Sequence, residues 1–372
     1  MYADHLLQPW YDRLLDDLPA LEPLDVHTHV GQRDPSGITA SVEELLGALG
    51  AARARALVFP LSEPDGYRAA NRACLEAALT SEGRLTALVR VVPDESDAVE
   101  GLLDRGAAGL KLHLSGDGVD LDDPRLAPVW ALADERRLPV VVHAGPEVGV
   151  LADRVLAASA RWPGARLVLA HCGLAALGRL HRHVPDHPNL FFDTSWWTPA
   201  HLLGLFRLVP PGRVLAASDL PYSTPVSHLM ATARCAWQAG LGREQVASVL
   251  GGQAARLVAG LDATDLGPPP TEEVRRPGPF LEMASSNLLA ALEAVQRGLE
   301  PGVPLDVARH ACDVPDDDPD AAVLASVRTL LDAYEEHRSR LPRRNGFGPG
   351  WDLLAAAAVV ARTPAAPLPR LG

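Results

Sequence analysis

Two histidines stand one residue apart in the stretch DVHTH, residues 25–29, at the end of a short apolar run. On an extended strand, residues i and i+2 point to one face, so His27 and His29 can aim both imidazoles at one point. That is how a strand presents two nitrogen ligands to a metal. Alone, the pattern suits two partly buried histidines bonded to backbone at least as well. It does not stand alone, because later apolar runs end in Lys111 and His113, in His143, in His171 and in Asp219. Burying that many ionisable groups without a shared partner is costly, and a bound divalent cation would offset the cost. The pattern therefore reads as a metal site drawn from distant parts of the chain.

Such residues meet only if the runs that end in them lie side by side. Strand-like runs occupy residues 24–27, 56–60, 85–92, 109–113, 138–143, 165–171, 189–193 and 213–219. Helical signals fall between them. Residues 1–20 repeat leucine or tryptophan every fourth position, and Pro9 suits the first turn of that helix. Ser41 with Glu44 predicts a capping box, and Pro124 opens a helix that runs to residue 137. Further helical patterns cover 67–81, 96–105, 151–161, 174–183, 199–208 and 226–239. The strands are apolar throughout, as strands covered on both faces are. Eight strand–helix units at roughly the βαβ length specify a (β/α)8 TIM barrel better than an open sheet. No Gly-x-Gly-x-x-Gly turn follows the first strand, which argues against a dinucleotide fold.

The 372 residues fit a barrel-sized domain plus an extension, and the 47% hydrophobic content supplies a large core. We place the barrel with its N-terminal helix at residues 1–264. After the Gly267–Pro270 stretch, a linker by composition, residues 265–372 form a C-terminal helical extension around 280–296, 321–337 and 351–361. It carries no catalytic pattern and offers a surface for packing on the barrel or for homo-oligomer assembly. The net charge of −13 disfavours nucleic acid or an anionic membrane as partner. Four cysteines without paired spacing, and no apolar signal core, point to a reducing, cytoplasmic setting. No run reaches the length of a membrane span.

Six stretches together resemble the amidohydrolase superfamily, in its amidohydrolase-related (type 2) branch of metal-dependent barrels. They are DVHTH (25–29), GLKLH (109–113), DDPRL (122–126), PVVVH (139–143), LAHCG (169–173) and ASDLP (217–221), in matching order across residues 20–260. The resemblance implies that His27, His29, His143 and Asp219 hold one divalent metal, most often zinc, with a position left for water. The metal would acidify that water and polarise a substrate carbonyl. By the same resemblance Asp219 is also the general base, and His171 meets the developing oxyanion, donates a proton or ligates a second metal. Two-metal members carry a carbamylated lysine on the fourth strand. Lys111 precedes Leu112-His113, a pattern associated with the one-metal branch, so one ion is expected. Lys111 then forms an ion pair within the rim or binds a substrate carboxylate. Gln253 stands where the family usually has asparagine, and the resemblance does not reach the extension.

Specificity is expected from loops after the strand ends, which hold Arg33, Ser115, Glu147, Trp196, Trp197 and Tyr222. The tryptophan pair could form a flat apolar wall, and Arg33 or Arg90 could bind an anionic group. Packing of loop residues on one another explains each equally well. The expected activity is hydrolysis of an amide, lactone or ester bond in a small molecule by metal-activated water. The alternative is a metal-dependent decarboxylase of an aromatic or unsaturated acid, with the same ligands. A non-catalytic barrel would leave the ligand set without a purpose.

Overall fold

The computed structural model describes residues 2–146, 151–271, 274–343 and 345–370. Among the described residues nine strands form, in chain order β1 (Leu24–Val30), β2 (Arg55–Pro60), β3 (Leu85–Ala87), β4 (Val89–Arg90), β5 (Leu110–Leu112), β6 (Pro139–Val142), β7 (Arg166–Leu169), β8 (Leu190–Asp193) and β9 (Val214–Leu215). All pair in parallel, in sequential order, as β1-β2-β3 and as β4 through β9. The expected run 85–92 is two strands, interrupted at Leu88, whose N–H bonds the Val58 carbonyl at 2.9 Å. At the other margin, Val26 N–H donates to Ala216 C=O at 3.0 Å, His29 N–H to Leu220 C=O at 2.8 Å, and Asp219 N–H to His27 C=O at 2.8 Å. These bonds join β1 to the segment that follows β9. The architecture is α/β, a parallel set of strands with helices between them.

The strands bury both faces, and the two faces feed separate apolar clusters. Leu57, Phe59, Leu88, Val141, Val168, Phe191, Leu215 and Ala217 meet one another in a small inner cluster, covered by Ala254 and Leu257. Their neighbours Ala56, Val58, Val140, Val142, Leu167, Leu169, Leu190 and Phe192 pack outward against helices. This period of two decides what stands at the strand ends. Counting by two from the inner cluster, Leu88 leads to Arg90, Val141 to His143, Phe191 to Asp193 and Ala217 to Asp219. On β5, Leu110 and Leu112 belong to the outer cluster, so the alternate position falls to Lys111.

His171 breaks this parity, since Val168 and Ala170 already face inward. Its backbone is left-handed, with φ 57°, as is that of Cys172 (57°) and Asp219 (60°). Non-glycine residues rarely adopt that conformation, and its concentration at strand ends re-aims the side chains.

Local signals explain most helix ends. The Ser41–Glu44 box forms, with Glu44 N–H donating to Ser41 Oγ at 3.1 Å and Ser41 N–H to the Glu44 carboxylate at 2.9 Å. Pro124 begins a 3-10 turn capped by Asp123, and the helix proper is Ala127–Glu135. Two expectations need correction. Pro9 lies inside the helix Asp4–Asp16 rather than in its first turn. The extension also contains a helix, Gly302–Ala311, beside Pro279–Gln296, Ala321–His337 and Trp351–Arg362. Gly302 and Pro304 read as punctuation, but a proline in a first turn lacks only a donor that the turn leaves unused. The last of these helices packs on Pro279–Gln296, on Ala321–His337 and on the helix Pro225–Ala239. No helix among the described residues is long and apolar enough to cross a membrane.

Candidate active site

The strand ends surround a cavity of about 290 Å³ lined by His27, His29, Arg90, His113, His143, His171, Trp196, Asp219 and Tyr222 among others. Asp219 Oδ1 lies 3.1 Å from His29 Nε2 and 3.2 Å from His27 Nε2. The ligand atoms of these three residues all fall within 4.8 Å of one another. The pair on β1 and the carboxylate after β9, almost two hundred residues apart, therefore converge.

The outer atoms of the imidazoles fix what the inner atoms offer. His27 Nδ1 is 2.8 Å from Asp193 Oδ2, and His29 Nδ1 is 3.4 Å from the Pro60 carbonyl. An acceptor at each Nδ1 can hold the ring proton there, which would free each Nε2 lone pair for a cation beside Asp219. Burial, reinforced by the Lys111 charge, holds His27 well below its ordinary pKa. Burial also lowers His29, against the pull of Asp219. Burial pushes the Asp219 carboxyl up, but the His29 hydrogen bond and the charges of His171, His29 and Lys111 outweigh it, and the net direction is down. Two neutral imidazoles and an ionised carboxylate around one point form the donor set of a divalent cation such as zinc. The residues present fit a metal.

His143 lies outside this triad. Its Nδ1 is 3.2 Å from His171 Nε2, and its ring stacks on His113 with centroids 3.9 Å apart. His171 Nδ1 is held by the Ser195 carbonyl at 2.8 Å and is 3.9 Å from Asp219 Oδ2. Asp219 thus turns one oxygen to the histidine pair and the other toward His171.

Lys111 is fully buried, with Nζ 3.2 Å from His27 Nε2 and 4.7 Å from the Phe59 ring centroid. Burial lowers its pKa to about 8, against the nearby Asp219 and Asp193 carboxylates. It contacts His27 without itself lining the cavity. Arg33 is also away from the cavity: its side chain is 60% exposed and paired with Asp65. The arginine that does line the cavity is Arg90, which is buried and forks onto Asp117 at 3.0 and 2.8 Å. Tyr67 hydroxyl donates to the same carboxylate at 2.7 Å.

Trp196 lines the cavity, and its Nε1 is buried with no acceptor among the described residues. Trp197 stands behind Trp196, Ser115 is exposed, and Glu147 lies outside the described residues.

Sequence reasoning gave no role to Asp193, Asp25 or Ser195. Asp193 orients His27, and its other oxygen accepts from the His171 N–H at 3.0 Å. Asp25 Oδ1 accepts from the His27 N–H at 3.1 Å and the Ser218 N–H at 3.0 Å, joining both ligand-bearing segments. A signal existed for Asp193, which closes an apolar strand as His143 does.

Residues 23–259 match the amidohydrolase family. No curated protein matches the chain. Among solved structures, an amidohydrolase II shares 20% identity over 64% of this chain and 100% of its own, with TM-score 0.51. A 2,6-dihydroxybenzoate decarboxylase from Rhizobium shares 15% over 64% and 99%, with TM-score 0.51. An uncharacterised TIM-barrel protein from Bordetella bronchiseptica gives the same 15%, 64%, 99% and 0.51. At these identities the likeness is one of fold.

Proposed function

The chain belongs to the amidohydrolase family, and from that premise we propose a metal-dependent hydrolase that directs water onto an amide, lactone or ester bond of a small molecule. Its working part is a closed (β/α)8 barrel within residues 1–264. The backbone bonds from β1 to Ala216 and Leu220, and the shared fold with a TIM-barrel protein, support closure. Residues 265–372 are the helical extension.

The observation that carries the reading is the two-sided placement of Asp219. Its Oδ1 sits between His27 Nε2 and His29 Nε2, and its Oδ2 faces His171. These residues would hold one divalent ion, zinc by donor type, with His143 as the fourth ligand once its ring leaves His171. The ion supplies a Lewis acid and acidifies water when bound. Asp219 accepts the proton from the attacking water at Oδ2. His171, anchored at Nδ1 by Ser195, presents Nε2 beside His143 and hands a proton to the leaving group. Arg90, held rigid by Asp117, receives an anionic group of the substrate. The unpaired Trp196 N–H gives the substrate a donor, and the indole face gives it a wall.

A second reading, decarboxylation of an aromatic or unsaturated acid, is favoured by Arg90 in the cavity wall. The Rhizobium protein of shared fold is a decarboxylase. The two readings separate when zinc-loaded protein is incubated with lactones and amides in one series and aromatic acids in another. Acid release without carbon dioxide supports hydrolysis. Carbon dioxide release from an acid replaces it with the second reading. No turnover in either series, with zinc bound at one per chain, rejects both substrate classes.

A further inference from the structure

The two segments that bring the triad together are the one after β1 and the turn after β9. Both are gripped from outside by the same side chain, Asn345, which belongs to the extension. Thr39 N–H donates to Asn345 Oδ1 at 3.1 Å, and Asn345 Nδ2 donates to the Thr39 carbonyl at 3.2 Å and to the Pro221 carbonyl at 3.5 Å. Thr39 adjoins the bridge between Gly31 and Ala40 that closes the loop leaving His29. Pro221 is two residues past Asp219, and Tyr222 N–H returns to the Asp219 carbonyl at 2.8 Å. The Pro221 carbonyl also accepts from the Tyr2 hydroxyl.

Asn345 holds this position in a left-handed conformation, φ 50°. Asparagine tolerates that region better than most residues, but at a cost that surrounding contacts must offset. Among the described residues, the side chain's hydrogen bonds run to the loop that leaves β1 after His29 and to the turn that follows Asp219.

A second line of contact runs from the same segment to the cavity wall. Phe347 packs on Trp351 with centroids 4.9 Å apart, Trp351 meets Trp197 edge-on at 5.6 Å, and Trp197 lies 6.4 Å from Trp196. Trp196 lines the cavity and faces His171 at 6.2 Å. The wall is thus buttressed from the extension through ring contacts.

We infer that the extension is a structural part of the site: Asn345 staples the His29 loop to the Asp219 turn, and Trp351 supports the Trp196 wall. Both are positioning residues. The inference rests on the metal reading only for its consequence, because the staple is a feature of the backbone whether or not an ion binds.

Asn345→Gly tests it in the full chain, since glycine keeps the left-handed backbone and removes the amide. Hydrogen–deuterium exchange on metal-free protein is the deciding measurement. We expect faster exchange in peptides spanning 31–40 and 218–224, with 139–142 and 166–169 unchanged. Zinc titration against a chromophoric chelator then reads the consequence, on the order of a 10-fold loss of affinity, the scale at which outer-shell groups act on bound metals. Unchanged exchange in both peptides overturns the inference, whatever the zinc result. Should Asn345→Gly not fold, Asn345→Asp keeps a residue that tolerates the left-handed backbone and removes the Nδ2 donor to Thr39 and Pro221, and faster exchange in 218–224 is expected; no change there overturns the inference equally. A wild-type chain that takes up no zinc while the exchange result holds would reject the metal reading and leave the staple standing.

Discussion

The rim of strand ends and the helix Trp351–Arg362 are both buried, and for opposite reasons. From Trp351 to Ala361 the helix is buried on every side, and apart from Asp352 those residues are apolar. Its run of alanines lets neighbouring helices approach closely, and its stability comes from packed apolar area. The rim buries imidazoles, an ammonium and carboxylates that bond one another at the strand ends. Two imidazole Nε2 atoms meet one carboxylate oxygen there. A core built for packing needs no further component, whereas the donor set of this rim fits a cation. Substitutions should therefore act on stability in one region and on chemistry in the other.

The largest break in that contrast should come from Asp219→Ala. Turnover is expected to fall on the order of 10³-fold or more, with zinc uptake lost and the thermal midpoint little changed; steady-state kinetics and metal analysis check this. An unfolded variant would erase the contrast. Next, Leu354→Ala in the extension helix, at 0% exposure, should cost about 2–5 kcal/mol. Denaturant titration reads the loss, and zinc stoichiometry should stay at the wild-type value. Arg90→Lys is smaller. A lysine cannot fork onto Asp117, so KM for an anionic substrate should rise on the order of 10-fold with kcat less affected.

The smallest effect concerns Asp4, whose carboxyl is raised to about 7 by burial, despite the Thr224 hydrogen bond. The folded state keeps the proton up to about pH 7, while the unfolded chain releases it near 4. Protons bound in the native state exceed those in the unfolded state across that window, so stability falls as pH rises from about 4 to 7. Asp4→Asn should flatten that decline by a few degrees in the thermal midpoint, measured against wild type at both ends.

What could be read from residues alone follows the same division. His27, His29, His143 and Asp219 stood out because each closes an apolar run; His27, His29 and Asp219 converge, whereas His143 lies against His171 and His113. Asp193 was just as visible in its run, yet its partner His27 Nδ1 lies 166 positions away, and no local pattern names that pairing. Arg33, after the first strand, and Arg90, within the run 85–92, were both candidates for binding an anionic group. The period of two along β4 sends Arg90 inward, while the path of the loop after β1 leaves Arg33 against Asp65. The placement of His143 against His171 and His113 depends on ring orientation, which spacing does not encode. Asn345 lies in a glycine-rich interruption of the helical pattern, and only the folded arrangement places it beside both segments.

The Pro221 carbonyl draws its donors from Tyr2 and Asn345, positions separated from it by 219 and 124 residues. Contacts of such span form late, because the intervening chain must first be ordered. During synthesis, strands β1 to β9 can emerge and pair well before Asn345 leaves the ribosome. The Asp219 carboxylate would then ride on an unfastened turn until the helices beyond it dock, so the assembled site should arrive as one of the final events of maturation.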